Sequence, residues 1–81
     1  MNIIVYSKDN CPYCKRAKAL LNAKDLPFTE CILGKDILRE DFVSLFPDAK
    51  TVPLIFIDGK RIGGYNELVE WNTARQQSPA G

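Results

Sequence analysis

The sequence predicts an α/β protein: a four-stranded mixed sheet flanked by three helices, in the order β-α-β-α-β-β-α. Three observations carry this. The apolar run Ile3-Ile4-Val5-Tyr6 does not alternate, as expected of a central strand covered on both faces. The segment after it changes to helical spacing, with Ala17, Leu20 and Leu21 at i, i+3, i+4. Further on, Asp58-Gly59 separates two strand-like runs and is a strong hairpin signal.

Taken in order, the first strand spans Asn2 to Tyr6, and Ser7 to Asn10 is a polar loop. Pro12 suits the first position of a helix, where its missing N–H costs nothing. Lys15, Arg16, Lys18 and Lys24 then face outward. Pro27 ends the connection, and Phe28 to Leu33 forms the second strand. Gly34-Lys35-Asp36 is a turn, with Asp36 as the expected cap of a second helix whose inward residues are Leu38, Phe42, Leu45 and Phe46. Pro47 to Lys50 breaks that helix. Pro53 to Ile57 is the third strand, and Lys60-Arg61-Ile62 returns as a short, charged edge strand. Gly63-Gly64 turns the chain into a last helix, from about Asn66 to Ala74, with Leu68, Val69 and Trp71 as packing candidates. Gln76 to Gly81 is expected to be a frayed tail.

The chain has 81 residues, so residues 1–81 are expected to form one domain with a small core. A formal net charge of +1 argues against nucleic-acid binding by counterion release. No apolar run approaches the ~20 residues needed to span a bilayer. The start, Met1-Asn2-Ile3-Ile4-Val5, lacks a basic leader and reads as a strand. Three cysteines are too few for a secreted disulfide framework, and Cys-x-x-Cys in such a chain points to redox chemistry in the cytoplasm.

The chemistry centres on Cys11-Pro12-Tyr13-Cys14. Residues i and i+3 share a helix face, so the two sulfurs can meet. With the helix starting at Pro12, Cys11 lies at its N-terminal end, where free N–H groups and the positive end of the dipole stabilise a thiolate. Lys8 adds to that field and Asp9 opposes it, while Cys14 sits one turn deeper and stays a thiol until needed. The magnitudes define the role. A cysteine whose pKa falls from ~8.5 to ~5 gains roughly 30-fold in thiolate at neutral pH. Each thiolate then loses about 25- to 55-fold in nucleophilicity, so the net gain is as a leaving group. A closed zinc site needs four ligands, and three cysteines with no histidine do not supply them. Cys31, alone in a strand pattern, is expected to be a small buried hydrophobe.

Lys8 ahead of Cys11-Pro12-Tyr13-Cys14, then Thr51-Val52-Pro53, then Gly63-Gly64-Tyr65, in this order and spacing, resemble the glutaredoxin family over Ile3 to about Thr73. The resemblance implies a thioredoxin-like fold, glutathione as co-substrate and no metal. It implies Cys11 as nucleophile, Cys14 as resolving thiol, and a cis Pro53 that places Val52 beside them. It implies that the γ-glutamyl carboxylate of glutathione meets the helix start at Gly64, Tyr65, Asn66 and Glu67, with Glu67 near the ammonium group. Lys8 and Tyr13 would flank the glycine end, and Thr51, Val52 and Pro53 would line the peptide. The implied partners are glutathionylated or disulfide-bonded proteins, ribonucleotide reductase being a known substrate of the family, with the chain acting as a monomer. One departure stands out: Glu40 occupies a position where relatives often carry Gln or Arg, so either Arg39 or Lys50 supplies the lost donor or the affinity for glutathione is reduced.

Two related readings differ in partner. A redoxin served by thioredoxin reductase would carry a different active-site pair and a C-terminal Trp-Ser-Gly-Phe-type segment, absent here. A dimer bridging a [2Fe-2S] cluster through Cys11 and two glutathiones is associated with Gly in place of Pro12.

Overall fold

A computed structural model describes residues 1–49 and 51–76. The elements are β1 (Ile3–Ser7), α1 (Pro12–Ala23), β2 (Thr29–Ile32), α2 (Arg39–Leu45), β3 (Leu54–Ile57), β4 (Lys60–Gly63) and α3 (Tyr65–Gln76). They form a four-stranded sheet in the order β2-β1-β3-β4. β1 runs parallel to β2 and antiparallel to β3, and β4 returns antiparallel beside β3.

The hairpin follows from its two turn residues. Asp58 and Gly59 both take positive φ, 52° and 79°, the backbone of the turn whose twist matches that of the flanking strands. Asp58 also ties down the N-terminal segment: its N–H donates to the Asn2 carbonyl at 2.7 Å, and its Oδ1 accepts from the Asn2 N–H at 2.8 Å.

One face of the sheet holds the aliphatic core. Ile3 and Val5 on β1 and Ile55 and Ile57 on β3 pack with Ala17 and Leu21 of α1 and Leu68 of α3, all of them buried. The alternate residues face the other way, where Tyr6 and Phe56 meet Phe42 and Phe46 at ring-centroid distances of 5.2–6.0 Å.

Several boundaries and packing expectations are corrected. β1 is displaced one residue toward Ser7, and β2 is shorter than Phe28 to Leu33. Asp36 does not cap α2. Its Oδ2 accepts from the Ile32 N–H at 3.0 Å and closes the preceding turn, while the cap position is Leu38, with no side-chain hydrogen bond. Because α2 has only seven residues, Leu38 falls outside it, and Leu38 and Leu45 are exposed (59% and 60%) while Phe42 is buried. Val69 is 37% exposed, whereas Leu68 is fully buried in the core and Trp71 packs against it. Cys31 is half-buried, since β2 is an edge strand. Gln76 belongs to α3; the rest of the expected tail, residues 77–81, lies outside the described residues, as does Lys50.

Ser7, at the end of β1, is buried and needs a partner for its hydroxyl. It donates to Glu30 Oε2 at 2.6 Å, and the same oxygen accepts from Lys18 Nζ at 2.6 Å. The Lys18 bond, then the Ser7 bond, holds the Glu30 carboxyl below its ordinary value of 4.5. A depressed carboxyl stabilises the fold fully above that ordinary value, and the contribution disappears as pH falls through the lower folded value. Glu30→Gln is therefore expected to cost about 0.5–1 kcal/mol near neutral pH and almost nothing near pH ~2. Urea unfolding of the two proteins at both pH values checks this.

Candidate active site

The pairing of the strands gathers the site. Tyr6 lies opposite Leu54 across the antiparallel β1–β3 pair, so the segment before β3 runs beside the loop that leaves β1. Ile55 lies opposite Gly63, which brings the start of α3 to the same end of the sheet.

The loop reaches Cys11 through Asn10, whose φ is 58°, a region asparagine tolerates better than most residues. Cys11 is extended (φ −115°, ψ 104°) and is the N-cap of α1; its carbonyl accepts the first helical bond, from the Lys15 N–H at 3.1 Å. Pro12 follows at the opening of the helix. The Cys14 N–H donates to Cys11 Sγ at 3.2 Å. A sulfur thus does the work usually given to a Ser, Thr or Asp oxygen, and a thiolate accepts that bond better than a thiol. Cys11 and Cys14 are joined as a disulfide, with Cα atoms 5.2 Å apart. Cys14 is fully buried, and Cys11 is 6% exposed.

Across from the pair, the Val52 carbonyl oxygen is 3.7 Å from Cys11 Sγ, and the Val52–Pro53 peptide bond is cis. Beside them lies a groove of about 400 Å³. Thr51, Val52 and Pro53 form one wall, and Gly64, Tyr65, Asn66 and Glu67 the other, with Tyr13 projecting from α1. Lys8 is not part of that groove. It lines an adjoining hollow of about 200 Å³ that shares Thr51 and Val52 with it and adds Leu33, Arg39, Phe42 and Val43. Glu40 is exposed and does not line this hollow; Arg39, the residue before it, does.

Glu67 has a role that its spacing signalled and the sequence reading passed over. Its Oε1 accepts the Gly64 N–H at 2.7 Å, while the Gly64 carbonyl accepts from the Leu68 N–H at 3.0 Å. This is the carboxylate half of a capping box. It also explains Gly63. That residue has φ +119°, and a Cβ there would lie 2.8 Å from Glu67 Cγ and Oε1. A second feature not anticipated is Arg16, whose guanidinium lies 5.3 Å from the centroid of the Tyr13 ring. Its i, i+3 spacing from Tyr13 was the available signal.

The third cysteine stands apart from this chemistry. Burial, then the Asp36 carboxylate, push the Cys31 thiol up from its ordinary value, which keeps it protonated and unreactive at neutral pH. Among the described residues, no group of three or more His, Cys, Asp or Glu side chains could hold a metal ion. No helix among them is long and apolar enough to cross a membrane.

Comparison with known proteins agrees with this geometry. Residues 3–62 match the family model described as Glutaredoxin. The chain is 46% identical over 68 residues to glutaredoxin 3 of Escherichia coli K12, covering 83% of this chain and 81% of that one. The structure is similar to that of Francisella tularensis glutaredoxin 1 complexed with cacodylate (TM-score 0.81, 28% identity, 95% and 98% of the two chains). It is also similar to a buckwheat glutaredoxin–glutathione complex (TM-score 0.76, 28% identity, 91% of this chain and 70% of that one). The four-stranded mixed sheet with three helices is accordingly a thioredoxin-like fold. With its Cys-x-x-Cys pair at a helix start beside a peptide-sized groove, the chain belongs to the glutaredoxin family of thiol–disulfide oxidoreductases.

Proposed function

We propose that the chain reduces glutathione mixed disulfides and protein disulfides at the expense of glutathione, with Cys11 as nucleophile and Cys14 as resolving thiol. The observation that carries this reading is the groove beside Cys11: eight of the nine residues expected at glutathione line it, all but Lys8.

In the first mode, the Cys11 thiolate attacks the glutathionyl sulfur of a mixed disulfide. The Cys11–glutathione disulfide forms and the substrate leaves as its thiolate. A second glutathione thiolate attacks the same glutathionyl sulfur, giving oxidised glutathione and returning the Cys11 thiolate. Stabilisation of that leaving thiolate by the Cys14 N–H and the start of α1 is what favours this step. In the second mode, Cys11 attacks a protein disulfide, and Cys14 gives up its proton and attacks Cys11 Sγ. The second protein thiolate leaves, and two glutathiones reduce the Cys11–Cys14 disulfide.

The ligand's peptide would lie along Thr51-Val52, in the manner of an added strand. Its γ-glutamyl carboxylate would take the N–H groups of Tyr65 and Asn66, because Glu67 already holds that of Gly64. The other carboxylate oxygen of Glu67 would face the ligand's ammonium group. At the glycine end, Lys8 and Arg39 share the adjoining hollow and offer two cations to the carboxylate, with Tyr13 at the edge of the main groove. Arg39 would thus replace the donor lost at Glu40.

Two assays run side by side test the reading: turnover of a glutathione mixed disulfide coupled to glutathione reductase, and disulfide reduction coupled to thioredoxin reductase. Rapid turnover in the first and none in the second is expected. Turnover only with thioredoxin reductase would overturn glutathione dependence and leave the redox pair standing.

A further inference from the structure

We propose that the Lys18–Glu30 ion pair sets the reduction potential of the Cys11–Cys14 couple: Glu30 is a positioning residue that keeps the Lys18 charge from acting on the sulfurs. The inference rests on Cys11 being the thiolate of the reduced pair, and it is independent of what fills the groove.

These two charges differ from the others in their burial. Among the described residues, every other Asp, Glu, Lys and Arg is exposed, while Lys18 and Glu30 are half-buried. Lys18 Nζ lies 2.6 Å from Glu30 Oε2. The same oxygen accepts the hydroxyl of Ser7, which is buried at the end of β1. The carboxylate is thus held from β1 and from α1 at once, and Lys18 is held with it. Lys35, in the turn after β2, also acts on Glu30 through space, from an exposed position.

Lys18 follows Cys14 by one turn of α1 and Cys11 by two, so all three share a helix face. Along the axis, the ammonium's residue is about 10 Å from Cys11. Cys14 is fully buried and Cys11 nearly so, which leaves little water to screen a half-buried charge from the sulfurs. Lys8, Asp9, Lys15 and Arg16 are closer to Cys11 in sequence, but all four are exposed.

Reduction makes one charge. When glutathione reduces the pair, the Cys11–Cys14 bond breaks and two glutathione thiols become one disulfide. One of their protons passes to Cys14 and the other to solvent, and Cys11 is left as a thiolate. A fixed charge nearby therefore shifts the equilibrium according to its sign. Paired, Lys18 and Glu30 nearly cancel at this distance. Without the carboxylate, the bare ammonium favours the reduced form. Without the ammonium, the bare carboxylate favours the disulfide. Unit charges about 10 Å apart, at an effective dielectric of about 30–80, shift such an equilibrium by about 2- to 6-fold.

The test equilibrates the full chain with mixtures of reduced and oxidised glutathione at neutral pH, here only a chemical redox buffer. Acid quenching, alkylation and mass spectrometry then give the ratio of dithiol to Cys11–Cys14 disulfide. Glu30→Gln is expected to raise the equilibrium constant for reduction by about 2- to 6-fold. Lys18→Gln, which keeps a hydrogen-bond donor for the carboxylate, should lower it by a similar factor. The double variant should return to within about 1.5-fold of the parent. The pH dependence of Cys11 alkylation by iodoacetamide should move the same way, with the Cys11 pKa lower in Glu30→Gln and higher in Lys18→Gln. A bond that serves only the fold would destabilise both variants and move the equilibrium in one direction or not at all. Shifts of the same sign, or none beyond about 1.5-fold, would overturn the proposal. Each variant has its own expected sign, so one that folds poorly leaves the other to decide. A parent Cys11 that ionises like free cysteine would instead remove the thiolate reading, and this inference with it.

Discussion

Cys11→Ser is expected to lose at least about 10³-fold in turnover of both glutathione mixed disulfides and protein disulfides, because a neutral hydroxyl at that position is a far weaker nucleophile than a thiolate and forms no disulfide. Cys14→Ser is expected to separate the two. Its Cys11 keeps the hydrogen bond from the backbone N–H of residue 14, since that bond is made by the main chain and not by the second sulfur. Glutathione itself completes the monothiol cycle, so deglutathionylation should remain within about threefold of the parent. Reduction of a protein disulfide has no such rescue. With residue 14 unable to attack, the mixed disulfide between Cys11 and the protein persists until glutathione reaches the sulfur of Cys11, a residue only 6% exposed. Steady-state rates on the two substrate types, with mass spectrometry of the trapped adduct, check the division. Equal loss of both activities in Cys14→Ser would mean that the second sulfur takes part in every cycle, contrary to the two-mode scheme.

How much of this was legible in the sequence depends on whether the deciding interaction was local. Pro12 at the opening of α1 and the Asp58-Gly59 turn are set by φ preferences of single residues, and both appear where expected. The gathering of Thr51-Val52-Pro53 and Gly64 to Glu67 around one groove follows from which strands pair, and the β-α-β-α-β-β-α order constrains that strongly. What was not legible is what covers a given apolar face. Leu38, Leu45 and Val69 sit at helical spacing yet remain exposed, since α2 is too short to bring Leu38 inside and the core beside α3 is filled by Leu68. Asp36 shows the competition between two local solutions: the same carboxylate can cap a helix or close a turn, and here the Ile32 N–H takes it. Lys8 lines the adjoining hollow and not the main groove, a division that the motif spacing alone does not reveal.

Leu68→Ala is expected to be the most damaging single truncation outside the redox pair. Leu68 is the fully buried residue among the described α3 side chains in the aliphatic core, where Ile3, Val5, Ile55 and Ile57 of the sheet meet Ala17 and Leu21 of α1 and where Tyr65 and Trp71 pack from its flanks. Deleting its branched end removes buried methyl groups and leaves a cavity between three elements, at a cost of about 2–5 kcal/mol. An 81-residue chain has a total margin on the order of 4–12 kcal/mol, so a large fraction is at stake. At about 4–8 °C per kcal/mol for a chain of this size, thermal unfolding should move down by at least about 8 °C. Val69→Ala, one position along and 37% exposed, should change stability by no more than about 0.5 kcal/mol. The pair of variants also bears on the site, because Leu68 follows Glu67 directly and its N–H closes the first turn of α3 on the Gly64 carbonyl. A loosened α3 should let the Tyr65–Glu67 wall drift. Leu68→Ala, assayed well below its unfolding temperature, should then show a raised KM for glutathione mixed disulfides with its Cys11 still reactive toward a small alkylating reagent. A variant that unfolds as the parent does would mean that α3 is held by contacts other than this leucine. A destabilised variant with the parent's KM would mean that the start of α3 is positioned independently of the core beneath it.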